Sequence, residues 1–209
     1  MRSRTLVGTL ATVAIAATGS LALAGPASAA TGSSSKATAS APALSGTTTV
    51  TTARGIAPTL LKAGILPLPT ANTGFGLQIF GGFAVSYRFP ITSGNPDLAG
   101  PSGDIFHKGG INFVSLRGKK LEIGKFDISL ADKKVYTTEI NFKPGRIAVL
   151  DLDLSNLKVT KRSNGDTNLS GITARLDPAA AGAINSTFGT ALPADGSLVF
   201  GSASVLLKG

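Results

Sequence analysis

Alternation of apolar and polar residues over short segments is the feature that most constrains the fold of this 209-residue chain. In the segment 147–154, Leu150 and Leu152 alternate with Asp151 and Asp153. A period of two places the leucines on one face of a β-strand and the carboxylates on the other. The links between such segments are too short for helical crossovers, so we expect the strands to pair in antiparallel fashion.

A second alternating segment extends over residues 135–142. Its period predicts a strand with Tyr136, Ile140 and Phe142 directed into the core. Further along the chain, Asn164-Gly165 separates two more strand-like segments. This pair indicates a β-hairpin, because both residues tolerate the positive φ that a tight turn demands.

Two helices are expected to interrupt the strands. Asp177 is a side-chain cap, Pro178 suits the first helical position and Gly189 is a stop signal, which together predict a helix over 178–188. A similar apolar stripe predicts a helix over 54–63. The predicted fold is therefore mostly β, with antiparallel sheets in a sandwich or barrel-like arrangement and two short α-helices.

The N-terminus has the three parts of a secretory signal peptide. Arg2 and Arg4 form a cationic start, an apolar stretch follows, and Ala27-Ser28-Ala29 supplies the small residues needed for cleavage. We predict that residues 1–29 are the signal peptide, with cleavage after Ala29 or Ala30. The predicted location is extracellular, either free or loosely associated with the cell wall. No second apolar segment predicts a transmembrane span in the mature protein.

The remaining chain divides into a linker and one domain. Residues 30–46 contain almost no large apolar side chains, which predicts a flexible linker. Residues 47–209 are the predicted β-rich domain. Because the chain has no cysteine, disulfides cannot stabilise that domain, and its own core must do so.

Charge favours some partners and disfavours others. The formal net charge of +9 suits an anionic partner such as an envelope polymer. With no Trp and only two Tyr, base stacking has little support, so nucleic acid is not an expected partner. Basic residues form two clusters in the sequence: Lys119, Lys120, Lys133 and Lys134, and Lys158, Lys161 and Arg162. Their role is either solubility and protection of strand edges, or a patch that binds an anionic polymer.

Catalytic and metal-binding signatures are missing from the sequence. His107 is the only histidine, and neither a zinc ligand pattern nor a nucleophile elbow accompanies it. Asp151 and Asp153 share a strand face, where a calcium or acid/base role competes with that of a solvated strand face; we favour the latter. We therefore expect no catalytic residues, no metal site and no enzymatic activity.

Several segments together resemble secreted actinobacterial proteins related to the HtaA domain family. The resemblance covers most of residues 46–207 and rests on small-residue patterns in the segments Phe89–Gly94, His107–Ile111, Leu152–Ser155, Leu169–Leu176 and Ala179–Gly189. It implies antiparallel sheets with two short helices, and a surface or secreted role in haem uptake. It also implies a tyrosine that binds haem iron and a histidine that supports this tyrosine.

The residues of this chain fit that implication only in part. The expected first helix contains no tyrosine, which leaves Tyr87 or Tyr136 as the iron ligand. Tyr87 is preferred because Tyr136 is expected to face the core, and His107 is the candidate supporting histidine; for both Tyr87 and His107 the alternative is a purely structural role. Haem is the one cofactor that the resemblance implies. Two functions remain open: a secreted, non-enzymatic binding module related to haem or iron uptake, and a structural or adhesive protein of the cell envelope that uses its basic surface.

Overall fold

A computed structural model describes residues 44–79 and 82–209, which form twelve strands and two helices. The predicted signal peptide and most of the predicted linker lie outside these residues. The strands are β1 (Ser45–Thr52), β2 (Ile65–Pro69), β3 (Gly74–Gln78), β4 (Ala84–Gly94), β5 (Asp104–His107), β6 (Gly110–Ser115), β7 (Lys120–Ser129), β8 (Lys134–Ile140), β9 (Lys143–Asp153), β10 (Lys158–Lys161), β11 (Thr167–Leu176) and β12 (Val199–Lys208). The helices are α1 (Ile56–Lys62) and α2 (Pro178–Phe188).

Eight of the strands close into a barrel. Their order around the ring is β7-β5-β4-β1-β12-β11-β9-β8, and pairing of β8 with β7 completes it. Every pairing between these strands is antiparallel, as the short connections predicted. The mostly β prediction is confirmed, and of the two arrangements that it allowed the barrel is the one observed.

The remaining four strands extend the wall of the barrel. β6 continues along β7 beyond the end of β5, and β2 pairs with β6. β3 pairs with the first half of β4, while β5 pairs with the second half. The wall therefore divides at this end, with β2 on one side of the division and β3 on the other. β10 is a further edge strand, paired with β11.

The passage from β5 to β6 requires two glycines. Gly109 has a φ of 89°, in the left-handed region, where side chains are strained. A β-carbon on Gly110 would lie 2.3 Å from the carbonyl oxygen of Ile123 on β7. Two backbones come within contact distance at this point, a close approach that only glycine permits.

Helix α2 has the bounds and the caps that its sequence predicts. The side chain of Asp177 accepts a hydrogen bond of 2.8 Å from the backbone N–H of Ala179, and Gly189 ends the helix with a φ of 73°. Its buried residues, Ala180, Ala181 and Ile184, pack against the barrel, mainly at β9. α1 lies within its predicted range of 54–63. Neither described helix is long and apolar enough to cross a membrane.

The predicted inward orientation of Tyr136 and Phe142, in and just after strand β8, is wrong. Val135 and Thr137 are buried, whereas Tyr136 is half-buried on the outside and Phe142 is 76% exposed. Irregularities in the pairing of β8 with β9 break the simple alternation. The polar side chain of Thr137 is satisfied at this inward position, because its hydroxyl accepts from the N–H of Gly124 and can donate to the carbonyl of either Gly124 or Glu139.

The hairpin at Asn164-Gly165 forms where it was predicted, but its turn differs. The loop between β10 and β11 has five residues, from Arg162 to Asp166, and the N–H of Arg162 donates to the carbonyl of Asp166. Gly165 has a φ of 89°, whereas Asn164 does not adopt a positive φ. Asn164 instead accepts a hydrogen bond from the N–H of Asp166, so its side chain stabilises the turn.

Lys134 forms ion pairs with two carboxylates, a structural role beyond the predicted solubility or edge protection. Its ammonium group bridges Asp151 on β9 and Asp177 at the start of α2, 2.6 Å from the Asp177 carboxylate. These two hydrogen bonds raise the pKa of Lys134 above its ordinary value. Asp151 therefore belongs to a bridge between barrel and helix, while Asp153 is exposed on the wet face as expected.

We expect Lys134→Gln to lower the free energy of unfolding by about 2 kcal/mol, because the buried carboxylate of Asp177 loses its counter-charge. Urea denaturation measures the effect. Lys158→Gln, at an exposed position on the edge strand β10, is the matched control and should stay within about 0.5 kcal/mol of the wild type. Equal stability of the two variants would contradict the bridging role.

Candidate functional site

Tyr87 lies on β4 beneath the division in the barrel wall. It is 1% exposed, and its hydroxyl donates a hydrogen bond of 2.8 Å to the carbonyl oxygen of Pro67 on β2. The ring of Phe75 on β3 meets the Tyr87 ring edge-on, with centroids 5.7 Å apart. Burial raises the pKa of the phenol well above its usual range, so Tyr87 is neutral in this conformation.

His107 lies on β5 and faces the interior of the barrel. It is 4% exposed; Nε2 is 2.7 Å from the hydroxyl oxygen of Thr48, and Nδ1 is 3.2 Å from the carbonyl oxygen of Phe126. Because a carbonyl only accepts, Nδ1 carries the proton and Nε2 accepts from Thr48. Burial lowers the pKa of His107 to about 4, against the smaller opposing effect of its backbone hydrogen bonds.

Tyr87 and His107 lie on the same inner face of the barrel but are too far apart to contact each other. His107 pairs with Ile91 across β4 and β5, and Tyr87 precedes Ile91 by four residues, a rise of about 13 Å along the strand. The ring of Phe89 lies between, stacked 6.4 Å from Tyr87 and edge-on to Phe126 at 4.9 Å. In this conformation the hydrogen bonds of the two candidates go to other partners.

Tyr136, the other tyrosine, lies on the outer wall. Its hydroxyl donates to Asp132 at 3.1 Å, and the Arg146 guanidinium lies 3.4 Å above its ring. Arg146 also approaches the buried Asp127 at 3.5 Å. The pKa of Asp127 is raised, first by burial and then by the charge of Asp104. Tyr136 is therefore held by a cation and a carboxylate, and it does not face the core as predicted.

A cavity of about 80 Å³ lies inside the barrel next to His107. Its lining is apolar apart from His107 and Thr48, which are hydrogen-bonded to each other. Phe89 and Phe126 separate His107 from the region of Tyr87. A cavity whose few polar groups are already paired offers water little, so we expect it to be dry.

An exposed apolar face on β3 adjoins Tyr87 of β4. Phe75 and Leu77 alternate along this strand and so share the face that meets Tyr87; Ile79 follows directly after the strand, and all three are substantially exposed. The exposed Arg54 packs beside Gly82, just beyond the end of this strand. Sequence reasoning missed this face, although the alternation of glycine and apolar residues from Gly74 onward was its signal.

Metal ligands do not gather elsewhere in the described ranges. Among residues 44–79 and 82–209, no group of three or more His, Cys, Asp or Glu side chains is arranged to hold a metal ion. Hydrogen bonds from Ser155, first from its hydroxyl and then from its backbone N–H, lower the pKa of the exposed Asp153. The site residues that remain are therefore Tyr87, His107 and the apolar face of β3.

Comparison with known proteins gives matches among solved structures. The structure is similar to the C-terminal domain of HtaA from Corynebacterium glutamicum, with a TM-score of 0.47 and 19% identity, covering 78% of this chain and 99% of that chain. A histidine-to-alanine variant of the same domain, a domain-swapped dimer, gives a TM-score of 0.44 and 18% identity, covering 75% of this chain and 94% of that chain. No protein-family model matches the sequence, and no curated protein is similar to it.

Both neighbours are forms of the C-terminal domain of HtaA, the family that the sequence segments resemble. At 18–19% identity the likeness concerns the fold alone. Which ligand this chain takes must be argued from its own residues.

We expect acid to destabilise the protein through His107. Its folded pKa of about 4 lies below the ordinary value of 6.5, so only the unfolded chain binds a proton between these values. The stability is fully present above pH 6.5 and is lost as the pH falls, by about 2 kcal/mol between about pH 7.5 and about pH 5. Urea denaturation across this range measures it. His107→Gln should flatten this part of the profile; an unchanged slope would contradict the assignment.

Proposed function

We propose that this protein is a secreted, non-enzymatic binding module whose ligand is a flat apolar molecule with acidic groups, of the haem class. The observation that carries the proposal is the exposed apolar face of Phe75 and Leu77 on β3, where the Phe75 ring lies edge-on to the Tyr87 ring. A flat macrocycle buries apolar area on such a face. Arg54, near the end of that face, supplies a cation for a carboxylate of the ligand.

Tyr87 is the residue proposed to hold the iron of such a ligand, through an anionic phenolate oxygen. In the described conformation its hydroxyl is bound to Pro67, so the oxygen becomes available only when β2 moves away from β4. Pairing of β2 is limited to β6, and Pro67 and Pro69 have no N–H to donate. β2 is therefore an edge strand whose displacement breaks strand pairing with β6 alone.

His107 has a different part in this proposal from the one that the resemblance implies. It is hydrogen-bonded to Thr48 and Phe126 and lies about 13 Å along the strand from Tyr87. From that position it stabilises the barrel on which the binding face is built. The basic surface, which favoured the alternative of an envelope-associated protein, is compatible with the same module.

Titration with haem and with iron-free protoporphyrin separates the two parts of the site. We expect Tyr87→Phe to weaken haem binding by at least about tenfold and to leave iron-free porphyrin binding unchanged, because this variant keeps the ring and removes the oxygen. Phe75→Ser with Leu77→Ser should weaken both ligands. Tyr136→Phe, on the outer wall, is the matched control and should bind both as the wild type does.

The opposite results would be decisive. If haem does not shift its absorbance with the wild type, the haem assignment is wrong. If Tyr87→Phe binds haem as tightly as the wild type while the β3 variant loses it, the apolar face binds the ligand and Tyr87 is not the iron ligand.

A further inference from the structure

Two exposed apolar residues lie at the tips of neighbouring turns, at one end of the barrel. Leu116 lies in the β6–β7 turn and is 82% exposed; Phe142 lies in the β8–β9 turn and is 76% exposed. Both turns adjoin the start of β7. The N–H of Asn141 donates to the carbonyl of Glu122, and the N–H of Glu122 donates back to the Asn141 side chain, which fixes the second turn there.

Phe142 occupies a backbone conformation that phenylalanine rarely adopts. Asn141 and Phe142 have φ values of 49° and 63°, the left-handed region in which glycine and asparagine are favoured. A phenylalanine at such a position is strained and, at 76% exposure, contributes little to the core. Strain at an exposed aromatic residue points to a role outside folding.

Cations surround the two tips. Arg117, Lys119, Lys120 and Lys143 are all exposed, and neither turn contains a carboxylate. Two acidic side chains lie on the strands beside these turns: Glu122 on β7, whose backbone is hydrogen-bonded to Asn141, and Glu139 on β8, which is paired with Lys125 at 2.6 Å. The tips therefore carry an excess of positive charge beside exposed apolar side chains.

An open cleft of about 590 Å³ adjoins the β6–β7 turn. It lies between the ends of α1 and α2, and its lining includes Lys62, Arg117 and Lys119 together with the apolar side chains of Leu116 and Phe188. Among the described residues that line it there is no Asp or Glu. The cleft thus combines three cations with apolar walls, which suits a phosphate group attached to an apolar chain.

We propose that this end of the barrel docks on a membrane surface rich in anionic phospholipid. Leu116 and Phe142 insert into the interfacial layer, the surrounding cations attract the phosphate groups, and the cleft accommodates a lipid head group. Apolar burial and attraction of cations to anionic lipid together give binding that neither gives alone. A soluble anionic polymer would use the cations but would leave the two apolar tips exposed to water.

Vesicle sedimentation at physiological ionic strength tests this proposal. We expect the full mature chain to bind vesicles of equal parts phosphatidylglycerol and phosphatidylcholine and not vesicles of phosphatidylcholine alone. Leu116→Ser with Phe142→Gly should weaken binding by at least about tenfold, and Arg117→Gln with Lys119→Gln by about tenfold or more. The matched control is Val159→Ser with Lys158→Gln and Lys161→Gln, on the exposed edge strand β10, which should bind as the wild type does.

Stability separates a binding role of Phe142 from a structural one. Phe142→Gly should raise Tm by about 3 °C, because glycine accepts the positive φ without strain, while vesicle binding falls. Because the chain has no tryptophan, Phe142→Trp provides a single indole reporter. Its emission should shift to shorter wavelength on mixed vesicles, whereas Val159→Trp should show no shift.

Three outcomes would overturn the proposal. One is undiminished vesicle binding by Leu116→Ser with Phe142→Gly. Another is an equal loss in the β10 control, which indicates general attraction to positive charge. The third is binding to soluble polyphosphate that is as tight as binding to vesicles and is unchanged in Leu116→Ser with Phe142→Gly. This result would assign the surface to an anionic polymer instead.

Discussion

Pairing of β7 with β8 closes the ring, and the positions of the other elements follow from that closure. Once eight strands form a barrel, the inward side chains must fill a fixed interior. β7 contributes to this constraint on both sides, because it pairs with β5 and β6 on one edge and β8 on the other. The close backbone contact at Gly110 lets β5 and β6 follow β7 in succession.

Closure is incomplete at one end, and the candidate binding site lies there. β2 and β3 extend the wall on either side of a division instead of pairing with each other. Tyr87 spans this division through its hydrogen bond to Pro67. An unpaired strand edge is normally protected by charge or proline; β2 has two prolines, but β3 presents Phe75 and Leu77 without either device. An apolar edge left unprotected in this way is consistent with a surface that receives a ligand.

The polar groups inside the barrel form hydrogen bonds with one another and with the backbone, and so stabilise the fold. His107 is neutral and uses both ring nitrogens in hydrogen bonds, and Thr137 satisfies backbone groups of β7. The strongest ionic contact described, from Lys134 to Asp151 and Asp177, attaches α2 to the barrel wall. Polar groups whose partners are internal are poorly placed to act on a substrate, whereas the β3 face and the two turn tips remain open to an external partner.

The sequence by itself determined the local structure: the antiparallel strands and the limits of α2 both follow from neighbouring residues. It did not determine which face of β8 is buried, because bulges in a strand depend on its partners, and Tyr136 accordingly lies outside. Nor did it place the candidate site. Tyr87 and His107 are twenty residues apart, and only the register of β4 and β5 shows that Phe89 lies between them. Periodicity is a local property, whereas distances across a barrel depend on strand order and register, which tertiary pairing alone decides.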